Sequence, residues 1–253
     1  MADSLEYLHG GNTAQVALQY SYLPSWISFL VDISKAEEAG EALVTAVTER
    51  ALEIPEAERP EVFLFGESLG SFGTESAFDD PEDLLASSDG AMLVGPTFVN
   101  PIREDLTDER DEGSPEWQPI VEDGRRVRFA QFPDDLDEPP GEWDDPRIVY
   151  LQNASDPITW FSPDLLLEPP GWLDDPRGTD VSEDMFWMPV VTFWQVAADL
   201  AVAGNVPAGH GHRYGANVVD AWVALSAPEG WTEQDTEELR ALIALENEIR
   251  TSE

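Results

Sequence analysis

The sequence predicts an α/β fold in which a mostly parallel sheet is flanked by helices. Short apolar runs at residues 62–65, 91–94 and 147–152 are typical of buried strands. Helical patterns lie between them, the clearest being the amphipathic segment at residues 36–52. Strands separated by helices are joined by right-handed crossovers, and this order therefore predicts parallel pairing.

Further elements are predicted on either side of these strands. A strand is expected at residues 13–20, because branched and aromatic residues there are bounded by turn signals. Residues 3–9 predict one or two helical turns. Later helices are expected at residues 188–203, at 216–225, and from residue 232 onward.

Composition limits the classes of function. The 253 residues are enough for a single α/β domain, and the absence of cysteine excludes disulfides and thiolate chemistry. The 52 acidic and 13 basic residues give a net charge of −39, and Lys35 is the only lysine. Such a charge repels phosphates, so we expect no nucleic-acid partner. Well-hydrated carboxylates and scarce lysine favour a halophilic surface.

Neither a signal peptide nor a membrane span is expected. The amino terminus lacks a basic start and a continuous apolar run. Residues 10–31 are uncharged, but they contain Asn12, Gln15, Gln19 and Pro24, and a core strand followed by a loop is the better interpretation.

The strongest motif is the stretch Gly66-Glu67-Ser68-Leu69-Gly70, which follows a predicted strand and precedes a predicted helix. This is the G-x-S-x-G nucleophile elbow in the context that its chemistry requires. A strained turn exposes the serine hydroxyl, and glycine avoids a Cβ clash two residues to either side. The N–H of Leu69 would point towards a developing oxyanion. Ser68 is thus the candidate nucleophile.

A serine nucleophile needs a base and a group that orients the base. In α/β-hydrolases these follow in the order serine, acid, histidine. Asp156 lies just after the strand at 147–152, and His210 and His212 come later. We prefer His210 as the base because glycines flank it, with His212 as the alternative. His9 precedes the elbow and is interpreted as structural or solvent-exposed.

Two segments differ in composition from the rest. Residues 100–146 are rich in Asp, Glu and Pro, and we interpret them as an acidic surface excursion with a hairpin around residues 122–130. Residues 159–188 form an aromatic-rich, cap-like segment. Its Trp160 and Phe161 are candidates for a substrate pocket, although core packing is the commoner use of such residues.

Several longer strings match a known family: LEYLHGG, FGESLGSFG, YLQNASDPITWFSPDLL and PAGHGHRYGANVVDAW. Together they resemble the C-terminal catalytic domain of a bacterial family of membrane-anchored alpha/beta-hydrolases, over residues 4–222. The resemblance implies the α/β-hydrolase fold and a serine hydrolase. It carries the family's serine to Ser68, and its D-P and G-H-G-H positions to Asp156, His210 and His212.

Two departures from that family suggest an incomplete hydrolase. Members usually carry upstream transmembrane helices and a strand before the LEYLHGG match, whereas only the first residues precede it here. We therefore expect the first strand to be missing and a second oxyanion donor to be lacking, unless residues 21–26 supply one. An upstream segment or a membrane-domain partner would then provide the strand.

The sequence as a whole predicts a serine esterase or lipase-like acyl hydrolase acting on a small acyl ester. No metal or cofactor is expected for this chemistry. The rival hypothesis is a non-catalytic α/β-hydrolase-like module for binding or membrane assembly. The ordered Ser, Asp and His favour the enzyme, and a missing oxyanion element favours the module.

Overall fold

The computed structural model describes residues 2–19, 33–174 and 176–252. Its strands are β1 (Phe63–Glu67), β2 (Gly90–Val94), β3 (Val127–Ala130) and β4 (Arg147–Leu151). Its helices are α1 (Ala2–Leu8), α2 (Ser34–Leu52), α3 (Leu69–Glu75), α4 (Pro81–Ser87), α5 (Pro101–Asp108), α6 (Pro157–Trp160), α7 (Val191–Asp199), α8 (Asn217–Ser226) and α9 (Glu233–Ser252).

The four strands form one sheet in the order β1-β2-β4-β3, and every pairing is parallel. The carboxyl ends of β1, β2 and β4 are aligned, because Glu67 is opposite Val94 and Val94 is opposite Leu151. The loops that follow these strands therefore leave the same edge of the sheet. In α/β folds this is the edge where binding and catalytic groups gather.

Both faces of the sheet are covered, as expected for parallel strands. One set of alternate residues, among them Met92, Val94 and Val149, packs with residues of α1 and α8. The other set, among them Leu93 and Tyr150, packs with residues of α4 and α5. Because successive side chains of a strand point to opposite faces, this explains the unbroken apolar runs in the sequence.

Helices α2 and α3 pack closely together, with a glycine from each helix at the crossing. A Cβ at Gly40 would lie 1.7 Å from the carbonyl oxygen of Gly73, and a Cβ at Gly73 would lie 2.6 Å from the carbonyl oxygen of Ala36. No side chain fits between the two backbones at this crossing. Helix α2 is thus seated directly on the helix that follows the elbow.

The strand predicted at residues 13–20 is wrong over residues 13–19, which have no regular secondary structure; Tyr20 lies outside the described residues. The residue types that suggested a strand are not buried here, because Val16 and Leu18 are 65% and 49% exposed. The first strand that we expected to be missing therefore has no strand at residues 13–19 to pair with.

The hairpin expected around residues 122–130 is also wrong. Residues 122–124 form a short 3₁₀ turn, and β3 pairs in parallel with β4. All four residues of β3 are buried, which is typical of a strand covered on both faces. Residues 100–146 are therefore more than a surface excursion, since β3 belongs to the sheet and α5 adds Ile102 and Leu106 to the core.

The cap-like segment at residues 159–188 has an apolar cluster of its own, containing Trp160, Leu165, Trp172, Leu173 and, from α7, Val196. Helix α7 is shorter than the predicted span 188–203. Val190 precedes it at φ +67°, outside the helical range, and turns replace the helix at residues 201–204.

A single guanidinium closes a loop of this segment. Arg177 donates hydrogen bonds to the carbonyl oxygens of Leu173 (3.0 Å), Ser182 (3.2 Å) and Met185 (2.7 Å). The neighbouring Gly178 lies against Ala154, and a Cβ at position 178 would be 2.0 Å from the Cβ of Ala154. We call these hydrogen bonds from Arg177 the carbonyl clip. They hold the loop in a conformation in which Gly178 contacts Ala154, two residues before Asp156 in the sequence.

Helices α2 and α9 are the longest, with 19 and 20 residues, and both are rich in glutamate. Over the part of the chain that the structure describes, none of the helices has the length and apolar character needed to cross a membrane.

Candidate active site

Ser68 occupies the sharp turn between β1 and α3. Its backbone has φ +56° and ψ −127°, a conformation that a residue with a side chain adopts only when its surroundings impose it. The N–H of Ser68 donates to the carbonyl oxygen of Val94 at 2.9 Å, which extends the β1–β2 ladder by one bond. The structure thus gives this residue the backbone strain that a nucleophile elbow requires.

The two motif glycines have different roles. A Cβ at Gly66 would lie 2.6 Å from the carbonyl oxygen of Gly70 and from the Cα of Ser71, so only glycine fits there. A Cβ at Gly70 would meet nothing within 4 Å. The expectation that both positions avoid a steric clash is right for Gly66 and wrong for Gly70.

Asp156 lies on the loop that follows β4 and caps α6. Its side chain is fully buried, and Oδ1 accepts a hydrogen bond from the Ile158 N–H at 2.9 Å. The Tyr214 hydroxyl donates to Oδ2 at 2.7 Å. Cap and hydroxyl together fix the carboxylate in one orientation, and Oδ2 faces the loop that carries the two late histidines.

The histidine that meets Asp156 is His212. Its Nδ1 lies 2.7 Å from Asp156 Oδ2, and the side chain is 14% exposed. A carboxylate can only accept, so Nδ1 carries the proton and Nε2 is left with a lone pair. The His212 N–H donates to the Ala203 carbonyl oxygen at 2.9 Å, which anchors this loop.

The preferred histidine, His210, has a different partner. Its Nδ1 is 3.8 Å from Asp180 Oδ2, and its side chain is 49% exposed. Asp180 also accepts a hydrogen bond from Ser155 Oγ, which in turn accepts from the Gly211 N–H at 2.9 Å. The flanking glycines shape the loop instead of extending His210 over the site, and the preference for His210 over His212 is corrected.

Gly95 links His212 to the elbow, although the sequence interpretation gave it no part. A Cβ at this residue, which has φ +54°, would lie 2.5 Å from His212 Cε1 and 2.8 Å from Tyr214 Cε2. Gly95 directly follows Val94, whose carbonyl oxygen accepts the hydrogen bond from the Ser68 N–H. The imidazole therefore packs on the strand end next to Ser68. The sequence does contain one sign of this role: Gly95 directly follows a predicted strand, at the same edge of the sheet as the elbow.

The groups around His212 raise the pKa of its imidazole. Burial lowers the pKa of His212, but the charge of Asp156, its hydrogen bond to Nδ1 and the charge of Glu67 outweigh burial and raise the pKa above its ordinary value. Desolvation raises the pKa of Glu67, and the charge of His212 partly opposes that rise. Glu67, beside Ser68, is thus electrostatically coupled to His212.

The N–H of Leu69 opens α3. The first N–H groups of a helix have no partner within it and suit a developing negative charge. The Leu69 side chain is buried, which holds this turn against the core. Residues 21–26, expected as an alternative source of a second oxyanion donor, lie outside the described residues.

Trp160 and Phe161 line one cavity of about 240 Å³, together with Phe98 and Arg103. Trp160 is 5% exposed, donates from Nε1 to the Asn153 carbonyl oxygen at 2.9 Å, and has the guanidinium of Arg103 4.6 Å from its ring centre. Packing therefore accounts for most of its surface. Phe161 is less buried and contacts Phe98 at a ring distance of 5.1 Å.

No group of three or more His, Asp or Glu side chains in the described ranges is placed to hold a metal ion. In comparisons with known proteins, residues 1–239 match the model of the Alpha/beta-hydrolase family. None of the curated proteins and none of the solved structures matches the chain. The match spans nearly the whole chain and agrees with the parallel sheet and its flanking helices. The chain belongs to the alpha/beta-hydrolase family.

Proposed function

We propose that the protein is a serine hydrolase that cleaves small acyl esters with Ser68 as nucleophile, His212 as general base and acid, and Asp156 as the group that orients His212. The observation that carries the proposal is the 2.7 Å contact between His212 Nδ1 and the buried Asp156 Oδ2. It leaves Nε2 available on an imidazole that packs against the strand end beside Ser68.

The proposed reaction has two steps. In the first, Ser68 Oγ attacks the ester carbonyl carbon while its proton passes to His212 Nε2, and the Leu69 N–H donates to the oxyanion. His212 then protonates the leaving alcohol, and an acyl-Ser68 intermediate remains. In the second step, water gives a proton to His212 Nε2 and attacks the acyl carbon; the bond from that carbon to Ser68 Oγ then breaks, His212 returns the proton to Ser68 Oγ, and the acid is released.

Asp156 supports both steps as the carboxylate that faces His212. Its charge stabilises the imidazolium that forms after each proton transfer, and its fixed geometry selects the Nδ1–H tautomer. The Tyr214 hydroxyl keeps Oδ2 in place, and burial by this phenol and α6 shields the pair from water. Phe161 and the exposed part of Trp160 line the site that binds the acyl group of the substrate.

The decisive experiment is labelling with a fluorophosphonate probe. Wild-type protein should be labelled on Ser68, whereas Ser68→Ala should show neither labelling nor p-nitrophenyl ester hydrolysis while keeping its melting temperature, because one hydroxyl adds little to packing. Ser76→Ala, which removes a hydroxyl just after the same helix, is the matched control and should label normally. An unlabelled wild type would favour the non-catalytic module.

We further propose that the protein works in concentrated salt. At a net charge of −39 the folded chain repels itself, and molar salt shortens the screening length to about 3 Å. The melting temperature should therefore rise strongly between dilute buffer and molar KCl. Differential scanning fluorimetry over a salt series measures this, and a melting temperature that salt leaves unchanged would contradict the halophilic interpretation.

A further inference from the structure

The carbonyl group of Ser68 is held by two donors from the first turn of α3. The Ser71 N–H donates to it at 2.9 Å and the Ser71 hydroxyl at 2.6 Å. This carbonyl shares a planar peptide unit with the Leu69 N–H, which points the opposite way. Whatever fixes the Ser68 oxygen therefore also fixes the direction of the proposed oxyanion donor.

Ser71 is in turn held by Asn100, which precedes α5. One amide hydrogen of Asn100 Nδ2 donates to Ser71 Oγ at 3.1 Å, and the other donates to Glu75 Oε1 at 2.7 Å. Its Oδ1 accepts from the Thr97 N–H at 2.8 Å and from the Thr97 hydroxyl at 2.7 Å. Every hydrogen-bonding group of the amide is used, so its orientation is unique.

Glu75, the last residue of α3, completes the chain of bonds. It is fully buried, and only donors surround its carboxyl group. Besides Asn100, the Tyr150 hydroxyl donates to Oε1 at 3.0 Å, and the Arg103 N–H donates to Oε2 at 3.2 Å. Burial raises the pKa of Glu75 to about 7, against the lowering effect of these bonds and of the Arg103 charge.

We propose that Glu75 is a positioning residue for the oxyanion donor, because it fixes Asn100, Asn100 fixes the Ser71 hydroxyl, and Ser71 holds the peptide unit that carries the Leu69 N–H. The inference rests on the proposed function, since it concerns the same elbow. If Glu75 had only a structural role, hydrogen bonds to its buried carboxylate would be sufficient. Here the chain of bonds ends on the one strained residue of the elbow, Ser68 at φ +56°.

The test uses Glu75→Gln, Ser71→Ala and the double variant in the full chain. Glutamine cannot satisfy the site, because its NH₂ group must face either the Asn100 amide or the Arg103 N–H, and both are donors. Ser71→Ala removes only the hydroxyl link and keeps the backbone bond to Ser68. Each single change should lower kcat for p-nitrophenyl butyrate about tenfold with KM unchanged, since a tilted donor is lost mainly in the transition state.

The double variant separates positioning from general destabilisation. If both residues act through one chain of bonds, the double variant should lose no more than the worse single variant, about tenfold, whereas independent effects would multiply to about a hundredfold. Asp220→Asn, which removes a mostly buried carboxylate paired with Arg240 on α8 and α9, is the charge control and should keep wild-type kcat.

Either multiplicative losses or wild-type kcat in Ser71→Ala would overturn the inference. Ser71→Ala alone decides the matter if Glu75→Gln does not fold. Wild-type protein that labels on Ser68 while the Ser71 and Glu75 variants label equally fast would refute the positioning role and leave the proposed hydrolase intact. Absent labelling of the wild type would refute both.

Discussion

Replacing His212 with alanine is expected to slow ester hydrolysis and fluorophosphonate labelling by about 10³-fold, because it removes the only imidazole hydrogen-bonded to Asp156 in the described structure. His210→Ala is the matched variant, since His210 lies two residues before His212 on the same loop. Its half-exposed side chain should change the rate less than about threefold. Steady-state kinetics on a p-nitrophenyl ester compare the two directly.

The pH dependence of the labelling rate also tests the role of His212. His212 must be neutral to accept the proton, and its pKa lies above the ordinary value, so the labelling rate should fall as the pH is lowered through a pKa above 6.5. Asp156→Asn removes the charge that raises this pKa and should move the fall to lower pH. Loss of activity in His210→Ala but not in His212→Ala would reverse the assignment.

Gly40→Ala should destabilise the fold by about 3 kcal/mol or more, because the new methyl group would lie 1.7 Å from a backbone oxygen that cannot move without α3. For a domain of this size, that corresponds to a melting temperature lower by about 10 °C. Thermal unfolding followed by circular dichroism, in salt at which the wild type is stable, measures the change.

Gly70→Ala is the control for this prediction, since it also replaces a helical glycine but has open space around the new Cβ. It should leave stability unchanged or raise it by up to about 1 kcal/mol, because alanine is the better helix former. Equal melting temperatures for the Gly40 and Gly70 variants would show that α2 and α3 are less closely packed than described.

The sheet and the elbow were predictable because each depends on local chemistry. Buried parallel strands need unbroken apolar runs, and β2 and β4 have them, whereas the apolar run that predicted β1 is only partly buried. The elbow needs glycine two residues before its serine, and Gly66 stands there with no room for a Cβ. The position of Asp156 after β4 followed from the rule that ligand groups gather at the carboxyl edge of a parallel sheet.

The predictions that failed depend on contacts that sequence spacing does not contain. Residues 13–19 contain residue types that favour strands, but such residues form a strand only where another element covers their apolar side chains, and Val16 and Leu18 stay exposed. β3 was assigned to a hairpin because a turn signal precedes it. Its true neighbour, β4, lies 17 residues or more along the chain.

The choice between the two histidines was of the same kind. Glycines on both sides of His210 suggested reach, yet Gly209 and Gly211 have positive φ (+81° and +49°) and turn the loop, and only His212 faces Asp156. What decides the pairing is Gly95, whose missing side chain leaves room for the imidazole. Gly95 is far from both histidines in the sequence, so the residues around His210 and His212 do not reveal this contact.

The carbonyl clip at Arg177 bears on how the protein is degraded. Trypsin must draw a basic side chain into its own specificity pocket, and here that side chain is bound to four carbonyl oxygens of its own loop. We therefore expect the bond after Arg177 to resist cleavage while the fold is intact. Once cut, the loop would release Gly178 from Ala154, so that a single nick would loosen the support of Asp156 and inactivate the protein before it unfolds.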